Sequence, residues 1–145
     1  MNLLKEPITK ISNLIPQKYP FVMVDSLIEF SNSNIVSSFK IHRENIFFEN
    51  NTLSEPALIE NMAQTVALHS GYSYFLKGEN APLGYIGSIK KIDILELPKL
   101  NETITTKGSI LMEFMGVTLV TLEVFNANNK VIASGEMKTV IVSNE

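Results

Sequence analysis

The sequence predicts a single α+β domain in which one long central helix is wrapped by a curved antiparallel sheet of about six strands. Three observations carry this reading. Residues 54–72 read as a helix that is apolar on nearly every face, so the rest of the chain must wrap it. Strand-like runs lie on both sides of the helix, two before it and four after it. The later runs are joined by short turns, which makes consecutive strands antiparallel. A second copy is expected to cover what the sheet leaves open, and a long strand edge offers it a place to pair.

Each element has its own warrant. Residues 1–14 are expected to form a short helical lead-in, with Pro7 near its start or at a break. Pro16 and Pro20 bracket a turn. Residues 21–30 read as a strand, Ser31-Asn32-Ser33-Asn34 as a turn, and residues 35–42 as a second strand. A polar loop over 43–53 leads to the helix. There Ser54 suits the N-cap, Glu55 the positive end of the dipole and Pro56 the first turn. Gly78-Glu79-Asn80 ends the helical region. Residues 83–95, 102–115, 117–125 and 130–142 read as strands, with Asn126-Ala127-Asn128-Asn129 as a hairpin turn.

Composition bounds the function. The 145 residues suffice for one domain, 1–145, and 45% apolar with 19% charged residues is ordinary for a globular chain. A net charge of −3 argues against nucleic acid as a partner. The absence of cysteine excludes disulfides, thiolate nucleophiles and cysteine-ligated metal. His42 and His69 are isolated, which gives no metal site. No glycine pattern suits a dinucleotide or phosphate loop, no serine sits in a nucleophile elbow, and no cofactor is expected. No apolar run approaches a membrane span, and the N-terminus lacks the make-up of a signal peptide, so a cytoplasmic location is expected.

The helix also carries the chemistry. At about 100° per residue, Glu60, Gln64, Ala67 and Gly71 share one stripe. Two residues of that stripe form hydrogen bonds; the other two are small enough to admit a backbone or a thin ligand chain. A carboxylate in so apolar a helix is costly unless paired or used. Glu60 is therefore a candidate general acid; alternatively it faces solvent, or joins Gln64 in satisfying nearby backbone. His69 lies on the opposite side and reads as packed or partly exposed. On pattern alone His42, at a strand end, faces solvent. The glycines of Gly84-Tyr85-Ile86-Gly87 mark a bend or a close ligand approach within a strand.

Several segments together resemble the 3-hydroxyacyl-(acyl carrier protein) dehydratases of the FabA/FabZ type. Ile15-Pro16-Gln17-Lys18-Tyr19-Pro20-Phe21-Val22-Met23-Val24-Asp25 is similar to that family's Leu-Pro-His-Arg-Tyr-Pro-Phe-Leu-Leu-Val-Asp. Glu60-Asn61-Met62-Ala63-Gln64 is similar to its helix motif Glu-x-Met-Ala-Gln, Leu83–Lys91 to the strand after the helix, and Ile132–Met137 to the final strand. The segments occur in the family's order over about residues 14–142. A closer likeness is to the divergent dehydratase-like proteins of aryl polyene and flexirubin pathways, which share a shortened loop and a Glu-Asn-x-Ala-Gln-Thr-like helix.

The resemblance implies a hot-dog fold working as a dimer, with sites at the subunit interface. It implies an acyl carrier protein as partner, toward which Lys18, Arg43, Lys90 and Lys91 either form a basic patch or are scattered surface charge. Glu60 inherits the family glutamate that helps expel the hydroxyl of a 3-hydroxyacyl thioester, while backbone N–H groups hold the thioester oxygen. The family's loop motif Gly-His-Phe-Pro is missing, however. The loop here runs Phe47-Phe48-Glu49-Asn50-Asn51-Thr52-Leu53-Ser54, with Asn50 or Asn51 at the histidine's place, and Gln17 replaces a second family histidine. An amide cannot take a proton from carbon at neutral pH. Three outcomes are open. Glu60 serves as both base and acid, His42 arrives from the partner subunit, or the chain binds acyl groups without converting them. Glu60, Gln64 and His42 are the expected catalytic set, and Asn50, Asn51, Ile86 and Gly87 the expected substrate contacts. Dehydration to the trans-2-enoyl thioester is the leading expectation. A non-catalytic partner subunit, in a homodimer or heterodimer with a related chain, comes second and a hot-dog thioesterase third.

Overall fold

A computed structural model describes residues 2–142. Strands β1 (Ser26–Phe30) and β2 (Asn34–Lys40) precede a two-residue hairpin, β3 (Phe48–Glu49) and β4 (Thr52–Leu53). Helix α1 (Glu55–Leu76) follows, then β5 (Gly84–Ile94), β6 (Thr103–Phe114), β7 (Val117–Phe125) and β8 (Val131–Ile141). Six strands form one sheet in the order β1-β2-β6-β7-β8-β5, antiparallel at every pairing. The expected α+β architecture is thus present: one helix lies against a six-stranded antiparallel sheet.

The helix begins where its residue types dictate. Ser54 is the extended N-cap and Pro56 occupies the first turn, where its missing N–H leaves no helical bond unmade. Gly78, with φ of 70°, closes the C-terminus by donating to the Phe75 carbonyl. Between these ends α1 packs against β2, β5, β6 and β7. Its first half enters one apolar cluster, where Leu58, Met62 and Val66 meet Ile104, Val120 and Ile132. Leu68 joins a second cluster with Leu14, Val24, Leu27, Phe30 and Ile35.

The N-terminal segment departs from expectation. Residues 2–14 contain no helix; instead Ile8 and Leu27 exchange both backbone hydrogen bonds, at 2.9 Å each, and Leu3 donates to Phe30. Ile8, Ile11 and Ile15 imitate a helical stripe, yet the backbone finds its partners on β1. Ile11, Leu14 and Ile15 are buried all the same. The first strand is also shorter than expected, because residues 21–23 bond to side chains of α1 rather than to a sheet. In β5, the register shifts between Ile86 and Ser88, so Gly87 marks a bulge.

Candidate active site

The site is built by a strap, residues 14–23, laid antiparallel along one face of α1. At one end Gly71 meets Leu14. A β-carbon on Gly71 would fall on the Leu14 carbonyl oxygen and lie 2.8 Å from its carbonyl carbon, so only glycine allows this approach. At the other end two buried amides hold the strap. Gln64 Oε1 accepts from the Met23 N–H at 2.7 Å, and Gln64 Nε2 donates to the Phe21 carbonyl at 2.9 Å. Asn61 Nδ2 donates to the Met23 carbonyl at 2.6 Å, while Asn61 Oδ1 accepts from the Thr106 hydroxyl on β6, also at 2.6 Å. Thr65 completes the set through Ser37 on β2, at 2.7 Å. Backbone groups outside a sheet must find partners when buried, and these side chains supply them.

The same Gln64 amide reaches back one turn: Nε2 also donates to Glu60 Oε1 at 2.9 Å. All hydrogen-bonding directions of the Gln64 carboxamide except one oxygen lone pair are then used, which fixes its rotamer and the Glu60 carboxyl with it. Glu60 is half-buried and stands on the wall of a cleft of about 170 Å³. The cleft runs between α1 and the ends of β5, β7 and β8. Ala63, Ala67, Gln17, Tyr74, Tyr85 and Ile86 are among its lining. Of the predicted stripe, then, Gln64 and Gly71 serve mainly to seat the strap. Glu60 faces the cleft, with the small Ala67 leaving it open. A carboxylate held by a buried amide beside a partly apolar cleft can accept or return one proton at a bound ligand.

The other expected residues lie in different places. Ile86 lines the cleft with Glu60, and Gly87 follows it at the bulge of β5. Asn50 and Asn51 are exposed at the tip of the β3–β4 hairpin with φ of 50° and 64°. Left-handed backbone at both turn positions accounts for asparagine there. His42 is exposed beyond β2 and is not among the residues lining this cleft. His69 is buried: its Nε2 meets the Ser31 carbonyl at 2.8 Å and its ring stacks on Phe30 at 4.9 Å. Burial lowers its pKa, only partly offset by the Ser31 carbonyl. Of the four cations, Lys18 donates to the Ser12 carbonyl and Lys91 lies 3.6 Å from Glu136, while Arg43 and Lys90 are exposed. No group of three or more His, Cys, Asp or Glu placed to hold a metal occurs among the described residues. No described helix is long and apolar enough to cross a membrane.

Sequence reasoning missed Asn61. The signal was available: it is an uncharged polar residue inside an apolar helix, and such a residue is kept only where its hydrogen bonds are made.

Comparison with known proteins gives a family and a fold. Residues 9–143 match the ApeP-like family, described as ApeP dehydratase. The chain is 24% identical over 135 residues to the 3-hydroxyacyl-(acyl-carrier-protein) dehydratase FabZ of Ruminiclostridium cellulolyticum, covering 89% of this chain and 92% of that protein. The dehydratase heterocomplex ApeI:P from Xenorhabdus doucetiae superposes with a TM-score of 0.85 at 16% identity, covering 92% of this chain and 91% of the matched one. A hypothetical thioesterase protein with coenzyme A from Streptococcus pneumoniae TIGR4 matches at a TM-score of 0.65 and 12% identity, covering 82% and 86%. At such identities the solved structures establish the fold, which is the hot-dog fold.

Proposed function

The chain belongs to the ApeP-like dehydratase family, and from that premise we propose that it removes water from a 3-hydroxyacyl group carried on an acyl carrier protein. The product is the trans-2-enoyl thioester, made in the cytoplasm for fatty-acid or pigment polyene biosynthesis. The observation that carries the reading is the Glu60 carboxyl, oriented by Gln64 on the cleft wall.

Glu60 works as a single-proton relay. Its carboxylate takes a proton from the carbon next to the thioester carbonyl, and the C–H pair becomes the new double bond. The bond from carbon to the 3-hydroxyl breaks, and the same proton passes from Glu60 to that oxygen, which leaves as water. The hydrogen bond donated by Gln64 holds the carboxyl in position for both transfers. Ile86 packs against the acyl chain, and the Gly87 bulge offers backbone N–H toward the thioester oxygen. His42, Asn50 and Asn51 serve the partner subunit's cleft.

Such a partner has a place to bind. Strand β5 is an outer strand of the sheet, and Tyr85, Ile86 and Ile89 on it are at least 40% exposed. A second hot-dog subunit, identical or related, extends the sheet along that edge. The absence of histidine from residues 43–53 favours a second reading, a subunit that binds the acyl group while a related chain supplies the base.

One incubation separates the readings: the isolated protein with a 3-hydroxyacyl carrier protein, analysed by intact mass. Loss of one water supports the dehydratase, whereas free acid identifies a thioesterase. No change alone, with water loss on adding a related hot-dog subunit, leaves only the partner reading.

A further inference from the structure

Gln17 stands on the cleft wall and carries an unused hydrogen-bonding group beneath the surface. It lies on the strap between Leu14, seated on Gly71, and Phe21, held by Gln64, and it lines the cleft with Glu60 and Ala67. Its Oε1 is buried without a hydrogen-bond partner, alone among the side-chain nitrogen and oxygen atoms of the described residues. The neighbouring amides differ: the nitrogen and the oxygen of both Gln64 and Asn61 are hydrogen-bonded. A buried acceptor left open in a protein that otherwise closes its polar groups calls for a donor from a ligand.

The reaction supplies one. The substrate hydroxyl is both acceptor and donor. Its oxygen must present a lone pair to the Glu60 carboxyl, so its own O–H must point elsewhere, onto an acceptor. We propose that Gln17 Oε1 is that acceptor, so that Gln17 is a substrate-binding residue that reads the 3-hydroxyl and turns its lone pair toward Glu60. The inference rests on the dehydratase reading and adds a residue to it. Proton bookkeeping is unchanged: Glu60 delivers the proton it took from carbon, the carbon–oxygen bond breaks, and the departing water keeps its original O–H on Gln17. Acyl thioesters that lack the hydroxyl leave Gln17 unpaired and are disfavoured, which selects substrate over saturated acyl groups of the same length.

The test is binding without turnover. In a Glu60→Gln background, calorimetry measures the dissociation constants of a medium-chain 3-hydroxyacyl pantetheine thioester and of its 3-deoxy counterpart. Gln17→Leu is expected to reduce the preference for the hydroxylated ligand by about 5–10-fold, with the 3-deoxy ligand little changed. Gln17→His, which keeps an acceptor, is expected to retain most of the preference, and it carries the comparison if the leucine variant fails to fold. An unchanged preference in the leucine variant, an equal loss for both ligands, or a histidine variant without preference overturns the proposal. Failure of the dehydratase reading shows separately, as absence of water loss by the wild type on its carrier-bound substrate.

Discussion

Replacing Gly71 with alanine sets two effects of opposite sign against each other. In a helix interior, alanine is favoured over glycine by about 1 kcal/mol, so propensity alone predicts a gain in stability. The strap predicts a loss. The new methyl would fall on the Leu14 carbonyl oxygen, 2.8 Å from the carbonyl carbon and 3.2 Å from Cα. Carbon atoms pack at about 3.5–4.0 Å and the carbonyl oxygen is nearer than the carbon, so the strap must retreat by more than about 1 Å. It is not free to do so, because Gln64 and Asn61 grip it at Phe21 and Met23 and Leu14 is itself buried. Overpacking of this kind costs about 1–3 kcal/mol, and a backbone obstacle puts Gly71→Ala at the upper end. The net expectation is a loss of about 2 kcal/mol, which lowers a urea midpoint by about 1 M at an ordinary denaturant slope. Equilibrium urea melts of both proteins measure it. A Gly71→Ala variant as stable as the wild type, or more so, refutes the seating of the strap on the helix.

Two further outcomes follow from the buried polar groups. Asn61→Ala strands the Met23 carbonyl and the Thr106 hydroxyl, and a loss of about 2–4 kcal/mol is expected in the same urea melts; a midpoint matching the wild type contradicts the assignment. Burial lowers the His69 pKa, so the folded chain binds that proton less readily than the unfolded one. Its contribution is therefore complete above the unfolded value of about 6.5 and declines as pH falls through it toward the lowered folded value. Melts at about pH 7.5 and about pH 5.5 are expected to show a smaller pH dependence in His69→Gln than in the wild type; parallel behaviour counts against this.

Much of the fold was readable because its periodicities are simple. An apolar helix with a cap, a proline and a closing glycine has few alternatives, and the hairpin at Asn126–Asn129 is written in turn residues. The helix expected over residues 1–14 failed because apolar residues three and four apart do not require a helix when a neighbouring strand can take the backbone bonds, as β1 does at Leu27. The strand expected from residue 21 began late for a related reason: its partners at Phe21 and Met23 are amides more than 35 residues away in sequence. Glu60 and Gln64 stood out as polar residues in an apolar helix, and the structure joins them. What the pattern could not give was the division of labour on their stripe, since the strap that Gly71 and Gln64 receive is brought there only by tertiary folding.

Glu60→Gln tests the central claim most directly. Glutamine keeps the side-chain length and an oxygen for Gln64 to bond, but it can neither take a proton from carbon nor return one. With the wild-type urea midpoint retained, the single-turnover rate of water loss from a 3-hydroxyacyl carrier protein is predicted to fall about 10²–10⁴-fold. A variant that dehydrates within about threefold of the wild type contradicts the account.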